Sequence, residues 1–294
     1  MAPADFSAQA EQSQPIDSQP QMQPVQLAQI GDFGLPIWVY LIGGSVLLLV
    51  FLPRVGWIAG LIVIGEREVG IVTKKFSAKS LPPNRLMALN GEAGLQADTL
   101  PPGWHFGYFP WQYNVNRENV VVVPQGEIGL VVANDGATLP PDRILAKVTD
   151  CDNFQDARKF FTDGGEKGRQ LAILTAGTYR INTALFEVIT AATAAKNGMN
   201  PAQLRVYTIA PDGVGVVTTL DGLPIDAGEI AGAIVPDHDN FQRADRFVHN
   251  GGRRGLQEQV MLSGSWNLNP WFVQTEQVAM TEVPIGYVGV VISF

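Results

Sequence analysis

One stretch of the chain is written twice. Residues 152–170 read DNFQDARKFFTDGGEKGRQ, and residues 239–257 read DNFQRADRFVHNGGRRGLQ, with no gap between the copies. A gap-free repeat constrains a fold more than a single motif does. Each copy must adopt the same local structure and find a neighbour to bury its apolar face. The residues shared by both copies are the opening Asp-Asn-Phe-Gln, an alanine, a second phenylalanine, the paired glycines, a later glycine and the final glutamine.

Asp152 followed by Gln155, and Asp239 followed by Gln242, have the spacing of a capping box. Phe154, Ala157 and Phe161 recur at i, i+3 and i+7, as do Phe241, Ala244 and Val248, which predicts one apolar helix face. Gly164 and Gly251 stand where a left-handed helix terminus is expected. The pattern therefore predicts a short amphipathic helix of about ten residues, capped at both ends. The charges between the fixed positions change from copy to copy. Arg158 and Lys159 in the first, and Arg243, Asp245 and Arg246 in the second, are candidate subunit contacts; the competing reading is a solvated face.

The helix belongs to a larger unit. Four segments resemble one another: IGEREVGIV at Ile64, VPQGEIGLV at Val123, APDGVGVV at Ala210 and VPIGYVGVV at Val283. Each reads as a strand entered through a turn. A turn segment then recurs at Leu81, Leu139 and Leu223, and a Gly-x-Gln hairpin at Gly94, Gly168 and Gly255. The expected organisation is a Gln- and Pro-rich disordered tail over 1–34, a membrane helix and juxtamembrane segment over 35–60, and strand-rich modules over 61–122, 123–206 and 207–282. A further module begins at 283–294, so the chain reads as the N-terminal portion of a longer protein; the competing reading is a terminal strand that pairs into the third module. The expected fold class is α+β.

Leu35 to Leu52 contains no charge in eighteen residues, which is long enough to cross a hydrocarbon core of roughly 30 Å. Trp38 and Tyr40 stand at one end and Trp57 beyond the other, as aromatic belts do. The competing reading is a buried core helix. No basic region precedes the apolar stretch, which argues against a cleaved signal. The nearby cations, Arg54, Arg67, Lys74 and Lys75, all follow it. The expected topology is a single pass with the tail outside and the repeats in the cytoplasm.

The chain carries a net charge of −8, which argues against nucleic acid as a partner. Its 31 glycines and 20 prolines suggest many turns and short strands. Cys151 is the only cysteine, and a lone thiol reads as a small buried hydrophobe. GGEKGRQ follows a helix instead of a strand and is not a phosphate loop. DCDNFQ and DHDNFQ put phenylalanine at the third ligand position of a calcium loop. His105, His238 and His249 share no metal spacing across the copies. No catalytic residue, cofactor site or metal site is expected.

The membrane segment, the strands VPIGYVGVV, VPQGEIGLV and GEREVGIV, and LPPGWHF at Leu100 together resemble the band 7, or SPFH, family of stomatins, prohibitins and flotillins, within it the large bacterial flotillin-like proteins. That resemblance implies a membrane-bound, non-catalytic scaffold that forms rings or cages, organises membrane microdomains and in some members regulates membrane proteases. Its expected partners are membrane lipid, further copies of the chain and other membrane proteins. The chain departs from the family in its multiplied modules, in the Asp-Asn-Phe-Gln insertion and in lacking a long assembly helix. The alternatives are a membrane-tethered binding module, with Trp104, Trp111, Trp266 and Trp271 lining a groove, and more distantly a membrane hydrolase.

Overall fold

The computed structural model describes residues 36–292. The tail expected over 1–34 lies outside them. The chain divides into a part ending at Leu52 and a part from Pro53 onward. Helix α1, Ile37–Ile58, has 22 residues, about 33 Å at 1.5 Å per residue. It is long and apolar enough to cross a membrane. It starts two residues later than the apolar stretch and continues through Pro53, which the sequence placed just outside.

The rest of the fold is mostly strand, with two further short helices among the described residues, so the class is α+β. The first repeat contains β1 (Ile62–Ile64), β2 (Glu68–Lys74), β3 (Met87–Ala88), β4 (Gly94–Leu100), β5 (Gly103–His105) and β6 (Tyr113–Asn119). The second contains β7 (Val121–Val123), β8 (Gly129–Ala133), α2 (Ala157–Thr162), β9 (Gly168–Leu174), β10 (Gly177–Tyr179) and β11 (Phe186–Ile189). The third contains β12 (Tyr207–Ile209), β13 (Gly213–Thr219), α3 (Ala244–His249), β14 (Gly255–Leu256), β15 (Gly264–Trp266) and β16 (Val273–Ala279).

The pairing recurs strand for strand. The entry strand of each repeat pairs antiparallel with the hairpin strand: β1 with β5, β7 with β10, β12 with β15. The next strand is the centre of a second sheet, in the orders β4-β2-β6, β9-β8-β11 and β14-β13-β16. β3 adds in parallel to the outside of β4, and single parallel bridges, Ala146 to Gln170 and Gly232 to Gln257, stand in its place later. Where the two sheets of a repeat cross, the second glycine of the entry motif makes room. A Cβ on Gly70, Gly129 or Gly215 would lie 3.0, 3.2 or 2.7 Å from Ile64, Val123 or Ile209 of the entry strand.

The glutamine of Gly-x-Gln has one role in all three repeats. Gln96 Nε2 donates to the carbonyls of Glu92 and Gly94, Gln170 Nε2 to those of Glu166 and Gly168, and Gln257 Nε2 to those of Arg253 and Gly255, all at 2.7–2.9 Å. It ties off loop carbonyls beside the sheet, and in the third repeat Thr219 Oγ1 donates to the same two carbonyls.

The fourth entry motif, at Val283, folds only in part. Tyr287 N–H donates to Pro284 O at 3.0 Å, the counterpart of Glu127 N–H to Pro124 O at 3.2 Å. The turn is local and forms by itself. The following residues to 292 are exposed and make no strand, because no described strand pairs with them.

Candidate functional site: the junctions between repeats

The repeated helix begins later and more tightly than its pattern predicts. Asp152 and Asp239 are not helix caps. Asp152, Asn153 and Phe154 have φ of 52, 51 and 64°, and Asp239, Asn240 and Phe241 have 47, 49 and 64°. Three successive residues thus form a left-handed turn ahead of each helix, a conformation that costs non-glycine residues roughly 1–2 kcal/mol each. Gln155 and Gln242 hold it. Their Nε2 atoms donate to the carboxylates of Asp152 and Asp239 at 3.2 and 3.0 Å, and their Oε1 atoms accept from the amides of Arg180 and Asn267, both at 2.9 Å. The glutamine clamps the turn to the hairpin that follows instead of closing a capping box.

α2 and α3 have six residues each, and Asp156 is the N-cap of α2, accepting the Lys159 amide at 2.8 Å. Arg243 takes that place in α3 and offers no side-chain cap. A capping box does occur at Asn200 and Gln203, on a short 3₁₀ helix. Because Phe154 precedes the helix, the buried face is Ala157 and Phe160, repeated as Ala244 and Phe247; Phe161 is only half-buried. Gly164 and Gly251 have φ of 69 and 86° and end the helices as the sequence predicts.

Each helix lies over a strand of the preceding repeat, α2 over β4 and α3 over β9. The cores are accordingly shared. Met87 and Ala97 of the first repeat join Phe154, Phe160 and Phe186 of the second. Leu145 and Leu171 of the second join Phe241, Phe247 and Phe272 of the third.

Two side chains that the sequence reading did not single out connect the repeats, and both recur. Asp135 Oδ2 accepts the amides of Leu86 and Met87 at 2.7 and 3.0 Å, and its Oδ1 accepts the Gly136 amide. In the next junction Asp221 accepts the Leu145 amide at 3.2 Å, the Gly222 amide, and the Arg143 guanidinium through both oxygens. Asn182 Nδ2 donates backward to the carbonyls of Gln96 and Ala97, both at 3.1 Å. Asn269 does the same to Gln170 and Leu171, at 3.2 and 2.9 Å. Each repeat thus satisfies backbone donors and acceptors of the one before it.

All five candidate subunit contacts make ion pairs inside the chain. Arg158 forms a two-toothed ion pair with Asp98 of the first repeat, and Lys159 pairs with Asp150 at 2.7 Å. Arg243 and Arg246 flank Asp245 at 3.8 and 3.9 Å. The four tryptophans proposed as a groove are dispersed. Trp266 and Trp271 pack against the third repeat's core, whereas Trp104 and Trp111 are exposed on the first repeat.

Cys151 is buried, and burial pushes its thiol above the usual range. That is the behaviour of a packing residue rather than a nucleophile. Its counterpart His238 is buried too. His238 Nδ1 accepts the Phe241 amide at 2.8 Å, so the neutral ring carries its proton on Nε2, 3.1 Å from Gln259 Oε1. Burial lowers its pKa below the ordinary 6.5. The unfolded chain therefore takes up a proton first. His238 contributes stability that is complete above about pH 6.5 and is lost as pH falls through its lower folded value. In urea titrations the wild type should lose stability between pH 7 and 5, and His238→Cys, which restores the residue of the second repeat, should flatten that slope. An unchanged slope would show that the ring titrates freely. Among the described residues no three His, Cys, Asp or Glu side chains converge as a metal site. No protein-family model, curated protein or solved structure matches this chain, so its own geometry is the ground for a functional reading.

Proposed function

We propose that the chain is a membrane-anchored, non-catalytic scaffold of the SPFH, flotillin-like kind: α1 holds it in a bilayer, tail outside, and the docked repeats form a stiff array on the cytoplasmic side. The observation that carries this reading is the repeated junction. Buried polar side chains that an enzyme would aim into a cleft are here directed at the backbone of the neighbouring repeat, where they fix one repeat on the next. Assembly into larger oligomers, with lipid and other membrane proteins as partners, would use exposed surface around the junctions; Arg243, Asp245 and Arg246, which pair only with one another at the edge of the second junction, are the candidates that remain for it. Protein extracted in mild detergent should run as an oligomer in light scattering, and membranes washed at alkaline pH should retain it. A monomer overturns the scaffold; release by alkali overturns the anchor.

One observation favours a second reading, a tethered binding module. An open cavity of about 500 Å³ lies between the second and third repeats, with Lys147, Asp150, Arg246 and His249 in its wall. A monomer that binds one partner or ligand saturably would support it.

A further inference from the structure

We infer that the first repeat rests on the headgroup layer of an anionic bilayer through an exposed strip of aromatic side chains, Trp104, Phe106, Trp111 and Phe76. The inference depends on α1 being a membrane anchor and goes beyond it, since an anchored protein could hold its repeats clear of the surface.

The first argument is chain length. Only Ala59, Gly60 and Leu61 separate α1 from β1, so β1 begins within about 14 Å of the helix end, at no more than 3.6 Å per residue. The polar layer on each side of a bilayer is roughly 5–8 Å thick. The strip is attached directly to this short connection. Tyr108 N–H donates to Gly60 O at 3.0 Å, and Trp104 stands opposite Val63 in the β1–β5 pair, so their side chains share a face. Lys75 N–H donates to Gln112 O at 2.8 Å, which carries the neighbouring Phe76 toward Trp111.

The second argument is the kind of residue. Trp104, Phe106, Trp111 and Phe76 are 69, 70, 56 and 55% exposed. Large aromatics left in water in one segment mark an interaction surface, and tryptophan is the residue that suits a bilayer interface. The third is charge. The whole chain carries −8, yet residues 53–122 hold seven Lys or Arg against five Asp or Glu. Lys75 and Arg117 line a cavity of about 220 Å³ beside Leu61 and Ile62. Positive charge next to the anchor, on a chain that is otherwise acidic, complements an anionic leaflet. The first repeat also lacks what would dock it on another repeat. It has no Asp-Asn-Phe-Gln helix, and Phe109, whose carbonyl accepts the amides of Gln112 and Tyr113, stands where Asn182 and Asn269 stand.

The test uses full-length protein in vesicles of phosphatidylglycerol and phosphatidylcholine brominated near the top of the acyl chains. Bromine quenches tryptophan only at contact. Trp104→Phe with Trp111→Phe removes two of the four tryptophans in residues 38–111, both exposed, so the fold should be kept. The amount of emission that bromine removes per molecule should fall by roughly half if all four lie at the bilayer. An unchanged amount of quenched emission in protein that resists alkaline washing overturns the strip and leaves the anchor standing. Protein that alkali releases overturns the anchor, and the strip with it.

Discussion

Replacing Gly165 by alanine should destabilise the protein more than replacing its neighbour Gly164, by about 3 kcal/mol against about 1 kcal/mol. The two glycines look equivalent in sequence and have different jobs. Gly164 has φ of 69°, so an alanine there meets only the ordinary cost of a left-handed residue. Gly165 is not left-handed. Its Cβ would stand 2.4–2.5 Å from three carbons of the Phe160 ring. That ring is fully buried and packs edge-on against Phe186, centroids 5.0 Å apart, so it cannot swing aside without moving the core shared by the first two repeats. The second copy repeats the arrangement. A Cβ on Gly252 would stand 2.2–2.3 Å from Phe247, whose ring meets Phe272 at 5.5 Å. Thermal unfolding of Gly165→Ala should show a midpoint lower by roughly 6–12 °C, taking 2–4 °C per kcal/mol for a body of this size. Equal losses for Gly164→Ala and Gly165→Ala would show that the ring yields and that this contact is not what fixes the pair.

How much of this could be read from the residues follows from range. The many short strands, the entry turns and the glycine helix stops are set by neighbours within a few positions, and the sequence shows them. The left-handed turn over Asp152, Asn153 and Phe154 is also local, but it goes against residue preference. A phenylalanine with positive φ is rare, and Asp152 with Gln155 has the spacing of a capping box, which points to a helix start instead of this backbone. The junction residues escaped for another reason. Asp135 bonds to Leu86 and Met87, and Asn182 to Gln96 and Ala97, contacts that span a whole repeat and have no signature in either segment alone. Recurrence was the available signal. Asp-Gly precedes the second and third turn segments, as Asp135-Gly136 and Asp221-Gly222, and Asn182 and Asn269 follow the hairpin at the same distance. Both are missing from the first repeat, which has no earlier repeat to dock on. A buried polar residue that recurs in the later copies and is missing from the first therefore identifies a contact between copies, whereas Gln96, Gln170 and Gln257, present in all three, bond within their own repeat.

Asn182→Asp should separate the first repeat from the second. The change keeps size and shape and alters only the atom that faces two carbonyls. In the wild type Nδ2 donates to both, and Oδ1 accepts the Ala184 amide at 3.1 Å. The side chain is fully buried. A carboxylate there would set negative charge against two oxygens with no water to screen it. Breaking a buried polar contact so that a charge is left uncompensated costs about 3–5 kcal/mol, whereas Asn182→Ala, which only strands the carbonyls, should cost about 1–3 kcal/mol. The sign with pH is fixed by the same geometry. The introduced acid would have its folded pKa raised by burial and by the carbonyls, so it resists ionising. The penalty should be complete above that raised value and vanish as pH falls to the ordinary aspartate range near 3.9. Hydrogen exchange would locate the damage. In Asn182→Asp the amides of Leu86 and Met87, held by Asp135 across the same junction, should exchange faster at pH 7, while those of β13 and β16 keep their protection. Asn269→Asp should give the converse, loosening Leu145 and leaving Leu86 and Met87 as they were. If either variant loosened all three repeats alike, the junctions would not be separable steps and the body would unfold as one unit. If neither variant lost stability, the asparagine bonds would be incidental to docking, and the shared apolar cores alone would hold one repeat on the next.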